Sequence, residues 1–79
     1  MLKKFSIKLD TFTLVKDFVK LTSRIDGDIT IRSSRWVIDG KSFMGILSLD
    51  LSKDLDCKIK ASEEQVKVFE DGLRKLNLV

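Results

Sequence analysis

Histidine is absent from this chain of 79 residues, cysteine occurs once, and the four glycines are isolated from one another. Each absence removes a class of chemistry. Without imidazole no side chain titrates near neutral pH unless its surroundings shift it, which argues against an enzyme working by general acid–base catalysis. One thiol and no histidine leave only scattered carboxylates as metal ligands, so no metal or cofactor is expected. A single cysteine cannot close an intramolecular disulfide, which fits a reducing, cytoplasmic compartment. No carboxylate pair stands out as acid and base, and the glycines build no phosphate-cradling loop. Nothing approaches the ~18 consecutive apolar residues of a membrane span. Met1–Ser6 soon alternates with polar residues, so it reads as a strand and not as a signal peptide. The net charge of +3 is mild and mixed in sign along the chain, and it implies no nucleic acid partner.

An apolar fraction of 43% beside a charged fraction of 34% describes a globular chain. A single domain spanning residues 1–79 is expected, burying roughly 60–65% of its unfolded surface. Phe5-Ser6-Ile7-Lys8-Leu9 alternates at period 2, a half-buried strand with Phe5, Ile7 and Leu9 inward. Leu14, Phe18 and Leu21, with Val15 and Val19, recur at helical spacing and predict a helix over residues 11–22, capped by Thr11 or Asp10. Asp26-Gly27 marks a turn, and Ile29 and Ile31 alternate with polar neighbours in a second strand. Ser33-Ser34-Arg35 turns into a third strand, Trp36-Val37-Ile38, without the glycine that tight hairpins favour. A short helix follows over residues 42–49. Leu55, Cys57, Ile59 and Ala61 then alternate with Asp56, Lys58 and Lys60 in a fourth strand, with Cys57 as a small core hydrophobe. Ser62-Glu63-Glu64-Gln65 has the spacing of a reciprocal capping box ahead of a helix whose stripe is Val66, Phe69, Leu73 and Leu76. The order β-α-β-β-α-β-α predicts an α+β fold, helices covering one face of an antiparallel sheet.

The run Lys41-Ser42-Phe43-Met44-Gly45-Ile46-Leu47-Ser48-Leu49, after Asp39-Gly40, carries more specific information. It resembles the regulatory-serine segment of HPr, the small phosphocarrier of the bacterial phosphoenolpyruvate:sugar phosphotransferase system. The element order is that family's over nearly the whole chain. The resemblance implies an HPr-like two-layer open-faced sandwich with sheet order 1-4-2-3. By the same resemblance Ser42, opening the short helix, is the position phosphorylated by a dedicated kinase. Free N–H groups and the helix dipole would favour an anion there, with Lys41 adding charge. Phe43, Met44 and Leu47 fall on the family's exposed docking patch, where contiguous apolar surface marks a partner. The family's phosphocarrier motif, His-x-Arg-Pro, is missing. Thr11, Phe12, Thr13 and Leu14 stand nearest to it, so Thr11 and Thr13 are degenerate carrier-site positions. A threonine phosphate is a stable ester and cannot stand in for a phosphohistidine. One further departure is Asp50, where the family usually has glycine to end the helix.

The resemblance therefore implies a non-enzymatic regulatory or docking protein, like the histidine-lacking HPr paralogues of catabolite repression. Its partners would be proteins: an HPr-type kinase, and a transcriptional regulator or a phosphotransferase-system enzyme. The chain would be a monomer or weak homodimer, independent of membranes. The alternative is an HPr-scaffold binding module with no phosphorylation, holding a protein or an anion. On the open sheet face Lys4, Lys8, Arg32, Lys58 and Lys60 are expected to form a basic surface. That face resembles an RNA-recognition platform but lacks its stacking aromatics. Trp36 is expected to pack at the sheet edge.

Overall fold

A computed structural model describes all 79 residues. Strand β1 (Leu2–Ile7) is followed by α1 (Phe12–Thr22), β2 (Gly27–Ser33), β3 (Trp36–Asp39), α2 (Phe43–Leu47), β4 (Leu55–Ala61) and α3 (Glu63–Lys75). The four strands form one antiparallel sheet in the order β1-β4-β2-β3. The fold is thus the α+β open-faced sandwich that the element order and the family resemblance imply.

Alternation sets the layers. In β4, Leu55, Cys57 and Ile59 are buried while Asp56, Lys58 and Lys60 are exposed. The inward residues meet Val15, Phe18 and Leu21 of α1 and Val66, Phe69 and Leu73 of α3 in one cluster of 15 buried side chains. Phe69 sits edge-on to both Phe5 and Phe18, with centroids 5.9 and 6.1 Å away. Such pairs add about 0.5–1.5 kcal/mol beyond their burial. The buried Thr22 hydroxyl donates toward Val19 O and Gly40 O, at 3.1 and 2.9 Å, and no buried side-chain nitrogen or oxygen lacks a partner.

Several details depart from the sequence pattern. Strand β1 begins at Leu2, because the Met1 ammonium donates to Ala61 O and Met1 O accepts from Ala61 N–H. It ends at Ile7, so Lys8 lies beyond the strand and outside the sheet face assigned to it, although Leu9 is still fully buried. Helix α2 is shorter than residues 42–49, with Ser42 and Ser48 as its caps. Asp50 is not in the left-handed region. Its carboxylate accepts from the Ser52 hydroxyl and N–H, which hold it below the usual carboxylate range. At the hairpin tip Ser34 takes the positive φ, +57°, that glycine usually supplies.

Trp36 does not pack at the sheet edge: it is 60% exposed, with the Arg35 guanidinium 5.5 Å from its ring centre. Its neighbour Ile38, two residues along, is the one that α2 covers. The capping box is only half formed. Ser62 Oγ accepts from Gln65 N–H at 3.2 Å, but Gln65 Oε1 accepts from Asp26 N–H, 39 residues away, at 2.8 Å.

Candidate functional site

Ser42 occupies the N-cap of α2 in an extended conformation, and its Oγ accepts from Gly45 N–H at 3.1 Å. The side chain is half-buried. The loop that delivers it is tied down on several sides. Gly40 N–H donates to Ile29 O at 2.7 Å, Ser42 N–H to Asp39 O at 3.0 Å and Lys41 N–H to Asp39 Oδ1 at 2.9 Å. Thr22 from the end of α1 holds Gly40 O. Gly45 faces Ile38 so closely that a Cβ there would lie 2.6 Å from Ile38 Cγ2 and 2.8 Å from Ser42 Oγ.

Lys41 is not the free charge beside Ser42 that its position in the sequence implies. Its ammonium donates to Ile25 O at 2.8 Å, bracing the turn between α1 and β2. The same loop brings the Asp39 carboxylate close, and α2, at five residues, aligns few peptide dipoles. The local electrostatics at Ser42 are therefore mixed.

The three apolar residues assigned to docking divide. Met44 is 73% exposed, whereas Phe43 and Leu47 are half-buried against the core. Next to Phe43, the residue before Met44, stands Phe12 in the first turn of α1. Phe12 is 57% exposed, and its ring lies 5.4 Å from that of Phe43. Phe12 is not among the docking residues that the sequence pattern marks; the signal for it is that it falls off the buried stripe of α1. From Phe12 the exposed residues Lys16 and Lys20 follow at four-residue steps along one outer face of α1, and Arg24 lies in the turn just past its C-cap. None of the three forms an ion pair; Arg24 Nε donates to Lys20 O at 3.4 Å.

Thr11 is the N-cap of α1, its Oγ1 accepting from Leu14 N–H at 3.1 Å, and Thr13 is exposed in the first turn. Cys57, 1% exposed, has its thiol pushed up to about 12 by burial and is no nucleophile. No helix is long and apolar enough to cross a membrane.

With this geometry in view, comparison with known proteins is decisive for the family. Residues 14–76 match the family described as "PTS HPr component phosphorylation site", and the chain belongs to it. The match begins just after Thr11 and Thr13. No curated protein matches the sequence. Among solved structures the chain is similar to HPr-C-His from Thermoanaerobacter tengcongensis, with 25% identity and a TM-score of 0.69 over 96% of this chain and 93% of that one. It is also similar in fold to a phosphocarrier protein HPr from Bacillus anthracis str. Ames, with 23% identity and a TM-score of 0.61 over 96% of this chain and 90% of that one.

Proposed function

We propose that this HPr-family chain is a single-domain, non-enzymatic docking protein of the cytoplasm, without phosphohistidine transfer and controlled through Ser42. The observation that carries the proposal is the juxtaposition at α2. A half-buried serine hydroxyl at the helix start adjoins an apolar surface made of Phe12, Phe43 and Met44. A chain with no histidine keeps that surface while lacking the group that a phosphocarrier needs. Phosphate on Ser42 would add about −1.5 to −2 charges beside the patch. The fold would stay intact, and the charge of the contact surface would change. The partners of this reading are an HPr-type kinase and a transcriptional regulator or phosphotransferase-system enzyme. Phe12, Phe43 and Met44, with Leu47 behind them, would be the anchors, and Lys16 and Lys20 the rim.

The test is intact-mass analysis after incubation with ATP and an HPr-type kinase from the same cell. One added phosphate (~80 Da), abolished by Ser42→Ala, supports the switch. No addition by a kinase that modifies its own HPr overturns it.

A second reading, docking without modification, is favoured by one specific observation. The Ser42 oxygen already has a structural task as the cap of α2, and the patch exists without any phosphate. Partner capture unchanged by Ser42→Ala and lost on Met44→Ser would select this reading.

A further inference from the structure

The sheet face turned away from the helices has no covering layer. Register arranges its outward residues in rows across the strands. Lys4, Lys58, Thr30 and Asp39 form one row, and Ser6, Asp56, Arg32 and Val37 form the next. In the first row Lys4 stands directly opposite Lys58, a like-charge pairing that destabilises an ordinary sheet. Neither lysine has a carboxylate within 4.0 Å; the ion pairs of the protein are Lys3–Glu70 and Arg74–Glu70. Arg32 is oriented by a bond from its Nε to Ser34 O at 3.1 Å, which leaves its terminal nitrogens without a protein acceptor.

These groups border one shallow depression of about 500 Å³, shared by Lys4, Ser6, Thr30, Arg32, Asp56 and Lys58. That is within the size range of small-molecule sites. Three cations against one carboxylate leave a surplus of two positive charges, the complement of a phosphate dianion. The remaining groups have a different character. The Asp56 carboxylate repels phosphate but accepts from hydroxyls, and the Ser6 and Thr30 hydroxyls donate and accept. No aromatic side chain projects from these rows, so a nucleobase finds no stacking surface.

From this arrangement we infer that the open face binds a small phosphorylated polyol. Its phosphate lies over Lys4 and Lys58 with Arg32 alongside, and its hydroxyls lie over Asp56, Ser6 and Thr30. The site is on the opposite side of the sheet from α2 and does not depend on the Ser42 reading.

The experiment is a ¹H–¹⁵N chemical-shift titration of the full chain at constant ionic strength with glycerol 3-phosphate, inorganic phosphate and glycerol. The expected result is saturable shifts at Lys4, Thr30 and Lys58 with glycerol 3-phosphate, at least about threefold weaker binding of inorganic phosphate, and none of glycerol. A tenfold or greater loss is expected in Lys4→Gln/Lys58→Gln. That variant removes the like-charge pair, so its unfolding midpoint should not fall. Four outcomes would overturn the assignment. They are shifts that do not saturate, shifts centred on Lys16 to Arg24, equal affinity for inorganic phosphate and the ester, or tighter binding of a single-stranded oligonucleotide at the same residues.

Discussion

Helices α2 and α3 begin alike and are held in place differently. Each is capped by a serine whose Oγ accepts from the N–H three residues on. Helix α3 then runs for 13 residues with Glu63 and Glu64 in its first turn and Arg74 and Lys75 in its last, both complementing the helix dipole. It buries Val66, Phe69 and Leu73. Helix α2 has five residues, no dipole-complementing charges and only Ile46 fully buried. A helix that short is not stable on propensity alone. Its position comes from Thr22, Ile29 and Asp39, which fix the loop before it, and from Gly45 seated on Ile38. Helix α3 is placed by its own sequence; α2 is placed by its neighbours, and its outer surface is left free for something else.

The comparison can be broken from either side. Phe69→Ala should cost the most, about 3–5 kcal/mol, read as a lowered midpoint in urea unfolding. Met44→Ser on α2 should stay within about 0.5 kcal/mol of the parent, and its effect should appear in partner capture. An equal loss at Met44 would show that α2 carries the fold as α3 does.

Next in size is Thr22→Val, which strips a buried carbonyl, Gly40 O, of its hydroxyl donor. A loss of about 1–3 kcal/mol is expected. Hydrogen exchange should speed up at the α2 amides before those of α3. The caps themselves rank third. Ser62→Ala should remove about 1 kcal/mol of global stability. Ser42→Ala should mainly lower protection of the Gly45 amide, because the tethers upstream still hold the loop.

The smallest effect concerns acid. The Lys3 ammonium bonded to Glu70, with Arg74 nearby, holds the Glu70 carboxyl below its ordinary value of 4.5. A carboxyl lowered on folding contributes stability above its unfolded pKa and loses it as pH falls through the folded one. The wild-type chain should therefore show an extra decline in stability below pH ~4.5. Glu70→Gln should lack that component, with α2 unaffected by the change.

What was legible in the sequence follows the range over which each signal acts. Alternation in residues 55–61 and the 3.6-residue stripe of α3 record which face is buried, and both are local. The Ser62 cap is local too. The second half of that motif was not legible, because Gln65 is claimed by Asp26 across 39 residues of chain. Lys41 shows the same limitation: adjacency to Ser42 suggested a charge beside it, while the fold offers the ammonium a carbonyl at Ile25. Phe12 escaped notice because the ring that meets it, Phe43, belongs to another helix. Trp36, expected to pack at the sheet edge, is 60% exposed, because α2 seats Gly45 on Ile38 and not on the hairpin end. The sheet order 1-4-2-3 came from the family resemblance and not from periodicity.

The placement of Cys57 gives the protein a built-in reporter. The thiol lies in β4 between β1 and β2, is 1% exposed and has its pKa pushed up to about 12. A thiol-labelling reagent can reach it only when those strands separate. The labelling rate would count rare openings of the sheet centre without an added probe, and any covalent dimer through Cys57 would record a molecule that had already come apart.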